Sequence, residues 1–190
     1  VDSIAANNGT AAGSARATLK TGANGLNGRN VVRFDGVANS YSLGTTISPQ
    51  NFTMAAVVKR IGAYNISFGG TDFYPALYRA ATNIEFGNNR CFGGVGGYAN
   101  VADTSTGWQI IVVSWAGANP DNPGYLNQTS LTFGSTTNYG NATGLSRIGK
   151  SGPVFCSGDI ADMLFWQSAL TSQKRSDIAA NLNATWGGVY

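Results

Sequence analysis

The sequence predicts an all-β domain of two packed antiparallel sheets with one short C-terminal helix, and three observations predict it. Apolar residues recur with period 2 in pieces of about five to eight residues, divided by Gly, Asn, Asp and Pro, as half-buried strands separated by turns do. Glycine fills 26 of 190 positions while charged residues make up only 11%, so turn formers are abundant and the ion-paired faces of long helices are missing. Helical spacing occurs once, at the end of the chain. About a dozen strands in one domain must close as two layers, because each sheet face has to be covered.

In chain order, 31–36 reads as a short strand ending in a turn, and 41–44 follows closely enough to pair with it. Residues 52–59 alternate and then become continuously apolar through Ala55, Ala56, Val57 and Val58, the pattern of a strand covered on both faces. Segments 61–68, 76–80 and 84–86 continue the series, and 108–115 is the strongest strand of the chain. Pro120 and Pro123 remove ladder donors from 119–124, which reads as a loop. A strand over 125–133 and a last long one over 158–166 follow. Thr171 is a helix N-cap, Ile178, Leu182 and Trp186 recur on one stripe, and Gly187-Gly188 stop the run, which predicts a helix over 172–185. Trp108, Trp115, Trp166 and Trp186 are expected in the core. No repeat, linker or low-complexity tract divides the chain, so residues 1–190 read as one domain.

Composition excludes several chemistries. The chain has no histidine and a single glutamate, Glu85, which removes His-based triads, histidine metal clusters and the commonest general base. Two cysteines cannot form a four-thiolate zinc site. The run 93–97 is glycine-rich but lacks the Lys-Ser/Thr of a phosphate cradle. Net charge is +3 with no basic cluster, so no nucleic-acid footprint exists. No stretch approaches the roughly 18 apolar residues of a membrane helix, so membrane insertion is not expected. Starting at Val1 without Met, the chain reads as a processed form or a piece of a longer protein.

The run Leu26-Asn27-Gly28-Arg29-Asn30-Val31-Val32-Arg33-Phe34-Asp35-Gly36, then Tyr41-Ser42-Leu43 and Asn51-Phe52-Thr53-Met54-Ala55-Ala56-Val57-Val58-Lys59, resembles the opening of laminin G-like domains of the concanavalin A-like lectin and glucanase superfamily. Arg147-Ile148-Gly149, Phe155, Gly158-Asp159-Ile160-Ala161-Asp162-Met163-Leu164-Phe165-Trp166 and Ala169-Leu170-Thr171 are similar to its final strand and C-terminal helix, and Trp108 to the start of its long middle strand. The resemblance spans roughly Leu26 to Trp186. It implies a jelly-roll β-sandwich with a concave face and end loops that in relatives bind sugars, glycoproteins or calcium.

Some such relatives cleave polysaccharides. The glucanase pattern of two glutamates flanking an aspartate is absent, since Glu85 has Asn83 and Gly87 at its same-face positions. The carboxylate pair required for glycoside hydrolysis is therefore not supplied by one strand. Asp72 reaching Glu85 across a hairpin is the remaining route to a pair, and the histidine of alginate lyase-like relatives is missing.

Sugar recognition wants aromatic faces beside short polar groups on a rigid surface, because a sugar presents C–H faces and hydroxyls that must be paired when buried. The segment from Tyr64 to Tyr98 is richest in both, and the candidate binding face is Tyr64, Asp72, Tyr74, Tyr78, Arg79, Glu85, Asn88, Asn89, Arg90 and Tyr98. The resemblance adds a possible calcium ion at a sheet edge, with Asp35 and Asp159 as candidate ligands; on a regular strand Asp159 and Asp162 point to opposite faces, against their sharing an ion. Cys91 and Cys156 stand near strand ends and a disulfide between them is geometrically open. Six Asn-x-Ser/Thr triplets begin at Asn8, Asn51, Asn65, Asn127, Asn141 and Asn183, a modest excess for so Asn- and Thr-rich a chain.

The leading expectation is a non-catalytic glycan- or glycoprotein-binding, adhesion-type module, secreted or displayed on a cell or virion surface. The alternative is a structural part of an assembly, such as a viral capsid decoration or tail-fibre domain, and a polysaccharide-cleaving enzyme is the third.

Overall fold

Alternating apolar residues form strands over most of the residues that the structure describes. The computed structural model describes residues 9–47, 51–70, 77–79, 83–86, 99–116, 121–135 and 145–190. Within them lie β1 (Thr18–Gly22), β2 (Gly28–Asp35), β3 (Tyr41–Ile47), β4 (Asn51–Arg60), β5 (Asn65–Gly69), β6 (Leu77–Arg79), β7 (Asn83–Phe86), β8 (Ala99–Ala102), β9 (Trp108–Ala116), β10 (Asp121–Leu126), β11 (Thr129–Ser135), β12 (Leu145–Ile148), β13 (Lys150–Ser151), β14 (Val154–Phe155), β15 (Ser157–Trp166) and the helix α1 (Ser172–Thr185). Thirteen strands join in one antiparallel ladder, β1-β2-β15-β4-β9-β10-β11-β8-β7-β6-β5-β12-β3, and β13-β14 form a separate hairpin. Residues of β4 and β9 share one core with residues of β5, β6, β7 and β12, so the ladder curls over on itself and the two expected sheets are parts of one hydrogen-bonded strip.

The inner face of this curl is the main core. Phe34, Phe52, Met54, Ala56, Val58, Ile111 and Val113 from the first layer meet Phe68, Leu77, Ile84 and Leu145 from the second. Phe52 and Phe165 stack with centroids 6.0 Å apart, and Phe34 meets Tyr41 edge to face at 5.9 Å. A Cβ at Gly149, where φ is +77°, would collide with the Phe34 ring, so this bend between β12 and β13 requires glycine. A second core lies outside the first layer, where Ala55, Val57, Ile110 and Val112 pack under Ala179 and Leu182 of α1. Thus β4 and β9 are covered on both faces, which is why the apolar run Ala55–Val58 is unbroken and 52–58 is buried throughout. The helix occupies the residues expected of it, and Thr171 caps it by accepting the Lys174 N–H. Trp108, Trp166 and Trp186 pack against this second core; Trp115 is placed by its backbone, opposite Phe52.

Several sequence expectations are corrected by pairing. Residues 41–47 do not pair with 28–35: β3 pairs with β12, Arg147 opposite Ser42, while β2 lies between β1 and β15. The Asp35–Asn39 turn is closed by Asp35 Oδ1, which accepts the N–H of Val37, Ala38 and Asn39, and it carries the chain into the other layer. The stretch 125–133 is not one strand but a hairpin, reversing at Asn127-Gln128 with Leu126 opposite Thr129. Asn127 takes φ 56°, a conformation asparagine tolerates, and its Oδ1 accepts the Ile110 N–H. Residues 121–124 belong to β10 rather than to a loop; Pro123 precedes the first β9 partner, Gly124, so its missing donor leaves that ladder intact. In 61–68 only Asn65 onward is strand.

One irregularity changes a side-chain argument. The register of β15 against β4 shifts between Ile160 and Asp162, a β-bulge that lets two successive residues take one side. Ile160 and Met163 both pack on the inner core, whereas Ala161 packs on the outer one. Asp159 and Asp162 therefore share the outer face, contrary to the expectation for a regular strand. Asp159 is 2% exposed and receives both Nε and Nη2 of Arg33, at 2.6 and 2.7 Å. Asp162 accepts the Trp186 indole N–H at 3.2 Å and so ties the helix end to the sheet.

Candidate functional site

The two layers offer two outward faces, and α1 covers the one belonging to β4, β9 and β10. On the second layer, Leu77 of β6 and Ile84 of β7 are 1% and 0% exposed on the inner side. Residues directly opposite one another in an antiparallel ladder share a face, and neighbours along a strand do not. Tyr78 stands opposite Glu85, Glu85 opposite Asn100, and Asn100 opposite Gly134. These four positions make a transverse row over β6, β7, β8 and β11, on the face opposite Leu77 and Ile84. At strand spacings near 4.8 Å the row is about 14 Å long.

The residue types in the row suit a neutral polyol. A phenol has an apolar ring and a hydroxyl, a carboxylate accepts from pairs of hydroxyls, an amide donates and accepts, and glycine leaves room. The flanks of Glu85 in this row are Tyr78 and Asn100, so the row itself pairs no second carboxylate with it.

The sequence candidates divide accordingly. Tyr78 and Glu85 are brought together. Arg79 lies opposite Ile84, on the other phase of β6 and outside the row. Tyr64 is 37% exposed in the turn before β5, where its carbonyl accepts the Ser157 N–H, so it stands at one end of the layer. Asp72, Tyr74, Asn88, Asn89, Arg90 and Tyr98 lie outside the described residues, as does Asp72's approach to Glu85. Asn100 was missed by the sequence reading. Its signal is weak, since a single Asn in a short strand is distinguished only by what stands beside it.

The two aspartates named for calcium sit in separate surroundings. Burial is the largest single influence on Asp35 and acts upward, but the backbone N–H groups it accepts together hold its carboxyl below the ordinary value. Asp159 is engaged through both oxygens by Arg33, whose own pKa that hydrogen bond raises. Among the described residues no three His, Cys, Asp or Glu side chains are grouped as a metal ion requires. Cys156 is fully buried in the inner core, and Cys91 lies outside the described residues. Asn65 is 1% exposed and its amide donates to the Lys59 and Asp159 carbonyls, so this triplet asparagine serves the fold. No helix among the described residues is long and apolar enough to cross a membrane.

No family model and no characterised protein matches the sequence. Solved structures do match in shape. The carbohydrate-binding module CBM40 of the Ruminococcus gnavus IT-sialidase, solved with α2,3-sialyllactose, superimposes with a TM-score of 0.58 at 12% identity over 78% of this chain and 96% of that one. Domain 4 of AbnA, an extracellular GH43 arabinanase of Geobacillus stearothermophilus solved with arabinotriose, gives 0.57 at 16% identity over 86% and 81%. A heptameric SAP-like pentraxin from Limulus polyphemus gives 0.54 at 16% over 77% and 80%. At these identities the likeness concerns the fold alone. The fold they share is a jelly-roll β-sandwich, and the likeness does not single out laminin G-like domains.

Proposed function

We propose that this chain is a non-catalytic carbohydrate-binding module that holds a glycan along the row Tyr78–Glu85–Asn100–Gly134. The observation that carries the reading is the asymmetry of the sandwich. One outer face is occupied by α1, while on the other the register lines up an aromatic, a carboxylate, an amide and a glycine. Solved neighbours that include two domains of carbohydrate-active proteins crystallised with oligosaccharides support it. Binding without cleavage fits a chain with no histidine and one glutamate, whose neighbours in the row are a phenol and an amide. Secretion or surface display, as an adhesion-type module, is part of this proposal.

A glycan array on the purified chain, with and without added calcium, tests it, followed by titration calorimetry on the best sugar. Tyr78→Ala is expected to weaken binding about tenfold or more, the scale of a lost stacking and hydroxyl contact, with an unchanged circular dichroism spectrum. Full affinity in a folded Tyr78→Ala/Glu85→Gln double variant would overturn the site.

A further inference from the structure

The stripe by which α1 packs on the sheet contains one residue of the wrong chemistry. Counting back from Trp186, Leu182 and Ile178, position 175 continues the stripe, and it is an arginine only 7% exposed. Its side chain runs back toward the helix start, as helical side chains do, and Nη1 donates to the Leu170 carbonyl. Leu170 is anchored to the sheet as well, because its N–H donates to Thr53 Oγ1, itself 2.6 Å from Ser114 Oγ. The guanidinium is thus held at the N-terminal end of α1. Its Nε is buried and has no hydrogen-bond partner, and the one salt bridge among the described residues joins Arg33 to Asp159. Arg175 therefore has no carboxylate counter-charge there, and burial lowers its pKa against the opposing pull of Tyr125.

Two hydroxyl groups stand at the same end of the helix, whose first residue is Ser172. Tyr125 Oη lies 3.2 Å from Ser172 Oγ. That hydrogen bond is the main cause holding the Tyr125 phenol below its ordinary value; burial opposes it, and Ser130, Arg175 and Ser176 add to the lowering. The backbone N–H groups of the first turn and the helix dipole favour negative charge at the same end. A buried cation at the positive end of a helix is disfavoured both by desolvation and by the dipole. An anion placed among these groups relieves both.

We propose that Arg175, Tyr125 and Ser172 form a binding site for the oxyanion group of an acidic ligand, a carboxylate or a sulfate. The site lies at the edge of the helix-covered face and does not rest on the glycan row. The test is a nuclear magnetic resonance titration of the full, isotope-labelled chain with sodium sulfate and, separately, sodium acetate, ionic strength being held constant with chloride. Saturable shifts of the Arg175 Nε–H and of the backbone amides of Ser172, Gln173 and Lys174 are expected with at least one of the anions. A sulfate-selective response assigns a sulfate ester, an acetate-selective one a carboxylate. The variant Tyr125→Phe/Ser172→Ala keeps the guanidinium and should bind about tenfold more weakly, the scale of hydrogen bonds to a charged group. Arg175→Gln, where it folds, should abolish saturation. Shifts that stay linear with both anions, or saturation unchanged in the double hydroxyl variant, would overturn the proposal.

Discussion

The β4–β9 pair and the β6–β7–β8 meander are built from the same alternating chemistry yet do opposite things. In β4 and β9 both phases of the alternation are buried, one under the second layer and one under α1. In the meander one phase, Leu77 and Ile84, is buried, and the other carries Tyr78, Glu85 and Asn100. Doubly covered strands are thus confined to one layer of the curled ladder, and the proposed glycan row lies on the other. The doubly covered strands supply apolar burial, at about 1.5–3 kcal/mol per large side chain, and free the second layer to spend its outer face on polar residue types.

Introducing a charge is the sharpest way to break this contrast. Val112→Asp places a carboxylate under α1, where Val112 is fully buried, and should cost about 4 kcal/mol or more, enough to unfold a marginal domain. Urea unfolding followed by circular dichroism measures it; a cost below about 1 kcal/mol would show that α1 does not seal that face. Next comes Arg33→Ala, which leaves the buried Asp159 without its bidentate partner. Because the Arg33 side chain is 38% exposed, water screens part of the loss, and about 2 kcal/mol is expected rather than the full figure for a buried pair.

Smaller effects sharpen the comparison. Thr171→Ala removes the cap of the covering helix and should cost about 1 kcal/mol. It tests whether α1 is held by its end as well as by its stripe. The smallest effect concerns Asp35→Asn, which keeps the turn acceptor but removes its charge. A carboxyl held below its ordinary value in the folded state adds stability above its unfolded pKa and loses it as pH falls through the folded one. The difference in Tm between wild type and Asp35→Asn should therefore be present at neutral pH and vanish on acidification below about pH 4. A difference that grows in acid would reverse the sign and refute the account of that turn.

What the sequence by itself determined was local. Alternation, the unbroken apolar run at Ala55–Val58, the Thr171 cap and the 178/182/186 stripe depend on near neighbours, and each is found where the periodicity places it. Two packed sheets followed from the number of such segments, and the jelly-roll arrangement was implied by their resemblance to concanavalin A-like domains. Pairing, by contrast, was decided only in three dimensions. Nothing near Tyr41 says that β3 joins β12 rather than β2, and nothing near Asp162 announces a bulge that turns it to the side of Asp159. Arg33 and Asp159 are 126 residues apart. The row that sets Tyr78 beside Glu85 and Glu85 beside Asn100 exists only through the register of three strands, and Arg175 acquires meaning only when a buried surface closes over it. Periodicity is written in each segment, but register and counter-charge belong to pairs of distant segments, and the packed chain alone brings those together.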